Sequence, residues 1–164
     1  MGYKIAGPPT IAKEIFRRAL ANRRSPALPL SDEAYDVCVG WGVNPAVALA
    51  FFVHESQAGT TGYARATKNW GNLRQGPGQR FNDGKFAYYV SWLVGLNDFC
   101  KLLRGSLYEG SGLRSVSQVL PRYAPTADNN NPQGYARAVN QMCEIWERLS
   151  GLGSVAQIIH RKEA

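Results

Sequence analysis

Length, composition and charge restrict what kind of protein this chain can be. Its 164 residues suffice for one domain with a core, and hydrophobic and charged fractions of 45% and 19% exclude a disordered chain. No apolar run approaches the roughly 20 residues that span a bilayer, and the first residues lack the basic start and apolar block of a secretory signal.

The net charge and the cysteines restrict the possible partners and the redox compartment of the protein. A net charge of +7 fits a solvated basic surface, nucleic acid or the anionic bacterial cell wall, although no RNA-binding aromatic motif or zinc finger is present. Cys38, Cys100 and Cys143 lie among apolar neighbours without CxxC spacing, which argues against a disulfide framework and against zinc. We therefore expect three reduced, buried thiols, as in a protein made in a reducing compartment.

Helical periodicity dominates the first part of the chain. The apolar positions of a helix predicted over 9–23 share one face, and these are Ile11, Ile15, Phe16 and Leu20. Pro9 or Thr10 is its predicted start. A second helix is predicted over 30–42, with Ser31 as the N-cap and two glycines near its end.

The third predicted helix, over 44–56, differs from its neighbours because it is apolar on every side. Asn44 as the cap and Pro45 as the first helical residue are both favoured at these positions. An all-round apolar helix is typical of a buried central element. Glu55 therefore lies at or next to the end of a core helix.

The middle of the chain changes character before helices return. No convincing helix is predicted from Gly59 to Gly84, but Asp83-Gly84 between short aromatic runs predicts a β-hairpin over 79–89. Three helices follow: one over 90–104 with Trp92, Leu96, Phe99 and Leu103 on one stripe, a short one over 113–125 broken near Pro121, and a long amphipathic one over 131–149 capped by Asn131. The order predicts one domain of helices with a small hairpin insert.

The residues around Glu55 suggest a chemistry after several others are excluded. The segment "HESQA" lacks the second His of a helical zinc site, and no serine-nucleophile motif is present. A carboxyl at the end of an apolar helix should be partly desolvated, which favours the protonated form that a general acid needs. The alternative to a general acid is a Glu with a structural role or a solvated Glu at a helix end. Nearby residues could line a cleft for sugars, with polar contacts from Ser56, Gln57, Asn69 and Asn72 and flat faces from Tyr63 and Trp70.

At these residues the chain resembles a known family. The stretch "NPAVALAFFVHESQAGTTGYARATKNWGNLR" is similar to the core motif of the bacterial glucosaminidases, the lysozyme-like peptidoglycan hydrolases of autolysins, flagellar muramidases and phage lysins. In that family a catalytic Glu ends an apolar helix, and a Gly-Thr-Ser-like turn and an Asn-x-x-Gly segment follow. Downstream, "FAYYVSWLVGLNDFCKLLR" and "LPRYAPTADNNNPQGYARAVNQMCEIW" resemble two further motifs, so the similarity spans about 45–146.

The resemblance implies roles for individual residues. Glu55 matches the general acid, and Tyr123 matches the tyrosine that faces the scissile bond, although a structural Tyr fits equally well. Asn69 and Trp70 fall on the cleft-lining segment. The family often places a second acid in the hairpin lobe, where Asp83 is the candidate, but an Asp-Gly turn already gives Asp83 a structural reason.

These observations give one expectation for the whole chain. We expect a single mainly α (α+β) lysozyme-like domain over 1–164, with a small β-hairpin lobe and an interlobe cleft. The expected activity is hydrolysis of peptidoglycan β-1,4 bonds as an endo-β-N-acetylglucosaminidase, without metal or cofactor. A lytic transglycosylase and a non-catalytic wall-binding or tail-structure module are the alternatives. The expected partners are the glycan strands and the anionic cell wall, with no nucleic acid and no membrane span. We expect a monomer. The protein would be a phage lysin, a virion-associated enzyme or a domain of an exported protein.

Overall fold

The computed structural model describes residues 2–74, 80–82 and 86–151, and these residues are mainly helical. Helices α1 to α7 span Lys13–Asn22, Ser31–Gly40, Pro45–Ser56, Gly62–Thr67, Trp92–Arg104, Val116–Tyr123 and Pro132–Ser150. Strands β1 (Arg80–Asn82) and β2 (Phe86–Tyr88) pair antiparallel, with Asn82 opposite Phe86. The mainly helical fold with a small hairpin is thus confirmed, whereas the predicted Asp83-Gly84 turn lies outside the described residues.

Helix α3 is the central element, as predicted. Each of its residues from 45 to 53 is buried, and α7 packs along it while α1, α2 and α4 contact it from other sides. The side chain of Asn44 accepts a hydrogen bond from the backbone N–H of Ala46 at 3.0 Å, and Pro45 begins the helix. Gln57 ends it in the left-handed conformation (φ 50°). The cap and this terminator hold Glu55 one residue before the end of the helix.

The remaining helices complete one core around α3. The predicted stripe of α5, which comprises Trp92, Leu96, Phe99 and Leu103, is buried, and the side chain of Asn131 caps α7 by accepting from the N–H of Gly134. Cys38, Cys100 and Cys143 are free and buried, which confirms the prediction for the thiols. None of the described helices combines the length and hydrophobicity needed to cross a bilayer.

Four local predictions were wrong. Helix α4 forms where no helix was expected, because Ala64 and Thr67 of this short segment are buried against α3. Pro121 does not break α6, which continues to Tyr123; an internal proline removes one backbone hydrogen bond, and tertiary packing tolerates that loss here. Ser31 is the first residue of α2 rather than its cap, since a 3-10 turn over Leu28–Leu30 leads directly into the helix. Helix α1 begins at Lys13, later than predicted.

Candidate active site

A cleft of about 510 Å³ opens beside the end of α3. Its walls are the last turn of α3, the segment 71–74, β2, the ends of α5 and α6, the loop between α6 and α7, and the first turn of α7. The ionisable and amide side chains that line it are His54, Glu55, Asn72, Arg74, Tyr108, Arg122, Tyr123, Asp128, Asn130 and Tyr135. Segments far apart in the sequence therefore meet around one predicted acid.

The carboxyl group of Glu55 is held by two hydrogen-bond donors. The hydroxyl of Tyr135 donates to Oε1 at 2.5 Å, and the side-chain amide of Asn72 donates through Nδ2 to Oε2 at 2.7 Å. The two donors come from α7 and from the segment after α4, so they fix the carboxyl from different directions. A carboxyl held in this way has a defined orientation toward the cleft.

Burial raises the pKa of Glu55 above its usual range, while the hydrogen bonds from Tyr135 and Asn72 lower it in part. Desolvation is the larger effect, because the apolar end of α3 disfavours the charged form. A carboxyl with a raised pKa, partly buried but facing an open cleft, has the protonation behaviour of a general acid.

Close packing at Gly71 positions the segment that carries Asn72. A Cβ at Gly71 would lie 2.4 Å from both the Tyr123 hydroxyl and the Phe99 ring, so only glycine fits. The Tyr123 hydroxyl donates to the carbonyl oxygen of Gly71. Asn72 follows in the left-handed conformation with φ 52°, which Asn tolerates better than most residues. These features aim the Asn72 amide at Glu55.

Tyr123 lines the cleft, where the resemblance places a catalytic tyrosine. Its ring packs edge-on against Phe51 at 5.1 Å, and burial raises the pKa of its hydroxyl well above the ordinary value. The hydroxyl therefore stays protonated and anchors Gly71. This contact supplies a structural role, and the catalytic role remains a prediction.

Trp70 and Ser56, two of the expected sugar contacts, are turned into the core instead. The Trp70 ring is fully buried and stacks on Phe52 with centroids 3.9 Å apart, and its Nε1 donates to the carbonyl of Ala48 at 2.8 Å. The Ser56 hydroxyl donates to the carbonyl of Phe52 at 3.2 Å and accepts from the N–H of Gly59 at 2.9 Å. Neither side chain can reach a sugar, so these two expectations are corrected.

Asn69 is also structural rather than exposed to the cleft. Its amide is fully buried; Nδ2 donates to the carbonyls of Leu73 and Ala87 at 2.8 and 3.0 Å, and Oδ1 accepts from the N–H of Leu73 at 2.8 Å. Because Ala87 belongs to β2, this side chain ties the hairpin to the segment after α4. Its predicted contact with substrate is therefore corrected as well.

The other predicted residues have different outcomes. Asn72 lines the cleft as expected, but its amide contacts Glu55. Tyr63 is 41% exposed, and its ring lies 4.8 Å from that of Phe86, which lines the cleft, so a stacking role at this edge stays a prediction. Asp83 lies outside the described residues, and its role stays a prediction too.

Sequence reasoning gave no role to Tyr135, His54 or the Arg74–Asp128 pair. The His54 ring stacks on that of Tyr135 at 3.8 Å, and burial lowers the pKa of His54, which favours its neutral form. Arg74 Nη2 and Asp128 Oδ2 lie 3.5 Å apart at the cleft. Tyr135 was quoted within the closing motif of the resemblance, but nothing in that motif indicates a hydrogen bond to a residue 80 positions away.

No group of three or more metal-ligating side chains is found in the part of the chain that the structure describes. Comparison of the sequence and structure with models of protein families, with curated proteins and with solved structures gives no match. The glucosaminidase family and the lysozyme-like form of the helical fold therefore remain predictions, and the case for a function depends on the geometry around Glu55.

Proposed function

We propose that this protein hydrolyses β-1,4 glycosidic bonds of peptidoglycan, with Glu55 as the general acid. The observation that carries the proposal is the carboxyl of Glu55: it is desolvated, held by two donors, and placed at the wall of an open cleft. A merely solvated Glu would have neither the raised pKa nor the two fixed partners. The proposal includes a lysozyme-like arrangement of the helices.

The proposed step needs one proton donor at the scissile bond. Glu55 gives its proton to the leaving oxygen as the bond between that oxygen and the anomeric carbon breaks. Water then adds to the anomeric carbon, directly or after the substrate's own 2-acetamido oxygen has attacked it, and its proton restores Glu55. Asp128 is the other carboxyl that lines the cleft among the described residues, but it is paired with Arg74.

The charge of the protein fits the proposed substrate. The cleft wall carries Arg74 and Arg122, and the whole chain has a net charge of +7. Peptidoglycan strands and the wall polymers attached to them are anionic, so this charge favours binding to the wall. A phage lysin, a virion-associated enzyme or a domain of an exported protein would meet this substrate.

Mass spectrometry of digested peptidoglycan tests the proposal. Purified cell walls are incubated with the protein, and the ends of the soluble fragments are identified. New reducing N-acetylglucosamine ends are the expected result. Ends with a 1,6-anhydro ring would instead identify a lytic transglycosylase, and an absence of new ends would identify a non-catalytic wall-binding or structural module.

A further inference from the structure

Among the residues that the structure describes, the amide of Asn72 has hydrogen-bond partners on one side only. Its Nδ2 donates to Oε2 of Glu55 at 2.7 Å and more weakly to the Glu55 backbone carbonyl at 3.4 Å. Its Oδ1 is buried and has no partner among the residues that the structure describes. A buried acceptor without a partner destabilises a fold, so its presence beside the candidate acid requires an explanation.

Asn69, three residues earlier, has a side-chain amide that is fixed by hydrogen bonds on both sides. Both its Nδ2 and its Oδ1 are bonded to backbone groups, so rotation of that amide would break hydrogen bonds on both sides. Among the described residues, rotation of the Asn72 amide would break only the bonds to Glu55, and it would move Nδ2 to the buried position that Oδ1 now occupies. Within the described part of the chain, Glu55 is therefore the group whose hydrogen bonds orient the Asn72 amide.

We propose that Asn72 is a positioning residue whose amide turns over with the protonation state of Glu55. When Glu55 is ionised, Nδ2 donates to Oε2, which is the contact that the structure contains. When Glu55 is protonated on Oε2, an O–H donor and the N–H donor of Asn72 face each other. The amide then rotates by half a turn, and Oδ1 accepts the hydrogen bond from the acid. Since Oδ1 is buried, a sugar cannot reach it to serve as its partner.

This inference rests on the proposed function, in which Glu55 loses and regains a proton in every turnover. An amide that could only donate would favour the carboxylate and oppose the acid. An amide that turns holds the carboxyl in place in both states. The O–H of the acid stays on Oδ1 only until a leaving oxygen enters the cleft, and it then turns toward that oxygen. No proton leaves Asn72, and the proton that Glu55 gives up is replaced from water.

Other titratable groups surround this pair and must be separated from it in a test. Tyr135 on α7 donates to Oε1 of Glu55, and Tyr123 on α6 donates to the carbonyl of Gly71, next to Asn72. His54 precedes the acid on α3, and Arg74 and Asp128 face the same cleft. Burial raises the pKa of both tyrosine hydroxyls well above the ordinary value, so they remain protonated when a carboxyl titrates. His54 and Asp128 are controlled by the variant Glu55→Gln, which retains both.

Nuclear magnetic resonance of the full chain tests the proposal without any need for turnover. The amide protons of Asn72 should show nuclear Overhauser contacts with the Glu55 side chain when Glu55 is ionised. These contacts should weaken on acidification with the midpoint at which the Glu55 carboxyl carbon titrates. The contacts of the Asn69 amide should not change, and in Glu55→Gln those of Asn72 should not depend on pH.

Contacts between the Asn72 amide protons and Glu55 that persist through the titration of the carboxyl would overturn the proposal. Changes of equal size in wild type and in Glu55→Gln would also overturn it, because they would trace to another group. A failure of the peptidoglycan digest would refute the proposed function but leave this measurement interpretable, so the two failures are distinguishable.

Discussion

Replacing Tyr135 with Phe removes one of the two donors to Glu55 and little else. The lost hydroxyl lies 2.5 Å from Oε1, while the aromatic ring, which packs against Phe51 and His54, is retained. A hydrogen bond to a charged group contributes about 1.5–3 kcal/mol. Because 1.4 kcal/mol is about a factor of ten, the ratio of ionised to protonated Glu55 at a given pH should fall roughly 10- to 100-fold.

The sign of the effect on activity follows from the role of Glu55. The hydroxyl donates to the carboxylate and lowers its pKa, so its removal raises the pKa of Glu55 further. A general acid works while it is protonated and loses activity as pH rises through its pKa. The alkaline limb of the pH profile should therefore move to higher pH in Tyr135→Phe.

The assay is the pH dependence of kcat/KM on soluble peptidoglycan fragments, measured beside a titration of the Glu55 carboxyl carbon. Tyr108→Phe is the matched control, since it removes a hydroxyl from the same cleft without deleting a donor to Glu55. The control should leave the alkaline limb in place. An unmoved limb in Tyr135→Phe, or one that moves to lower pH, would refute this account of Glu55.

Three further predictions concern stability and the turn. Burial raises the folded-state pKa of Glu55, so protonation of Glu55 stabilises the fold at acid pH and this contribution is lost as pH rises. Glu55→Gln should therefore have a melting temperature no lower than that of wild type at neutral pH, and any advantage of the variant should shrink in acid. A lower melting temperature of the variant at neutral pH would contradict this. Trp70→Ala should lower the free energy of unfolding by about 3–5 kcal/mol in denaturant titrations, and Tyr63→Ala, at a 41% exposed ring, should cost far less; equal losses would show that Trp70 is not a core residue. Asp83→Asn should reduce peptidoglycan hydrolysis less than about tenfold, because Asn-Gly forms the same turn as Asp-Gly; a larger loss with an unchanged melting curve would give Asp83 a catalytic role.

The parts of the fold that follow from local chemistry were predictable. Asn44 and Pro45 specify the start of α3 through the cap and the fixed φ of proline, and the all-round apolar composition specifies its burial. The position of Glu55 near the end of a core helix follows from the same signals. Helix α4 did not follow, because a helix of six residues has too few turns for a periodic pattern and depends on its packing against α3.

The candidate site was only partly predictable, since its geometry depends on contacts across the sequence. Glu55 could be identified because the apolar residues that precede it in the sequence predict a desolvated carboxyl. The hydrogen bond from Tyr135 to Glu55 joins residues 80 positions apart in the sequence. A Tyr on the apolar face of an amphipathic helix is usually interpreted as a core residue. Trp70 was misread for the converse reason: an aromatic in a polar segment looks exposed, but its Nε1 finds a carbonyl acceptor inside the core.

The central claim is that Glu55 supplies the proton for glycosidic cleavage. The most direct test compares the rate at which wild type and Glu55→Gln release reducing ends from purified peptidoglycan, at matched concentrations and with both proteins shown to be folded by their melting curves. The wild type should release reducing ends, and the rate for Glu55→Gln should be at least about 100-fold lower, the lower end for loss of a general acid. Near-equal rates for the two folded proteins, or no release by the wild type, would contradict it.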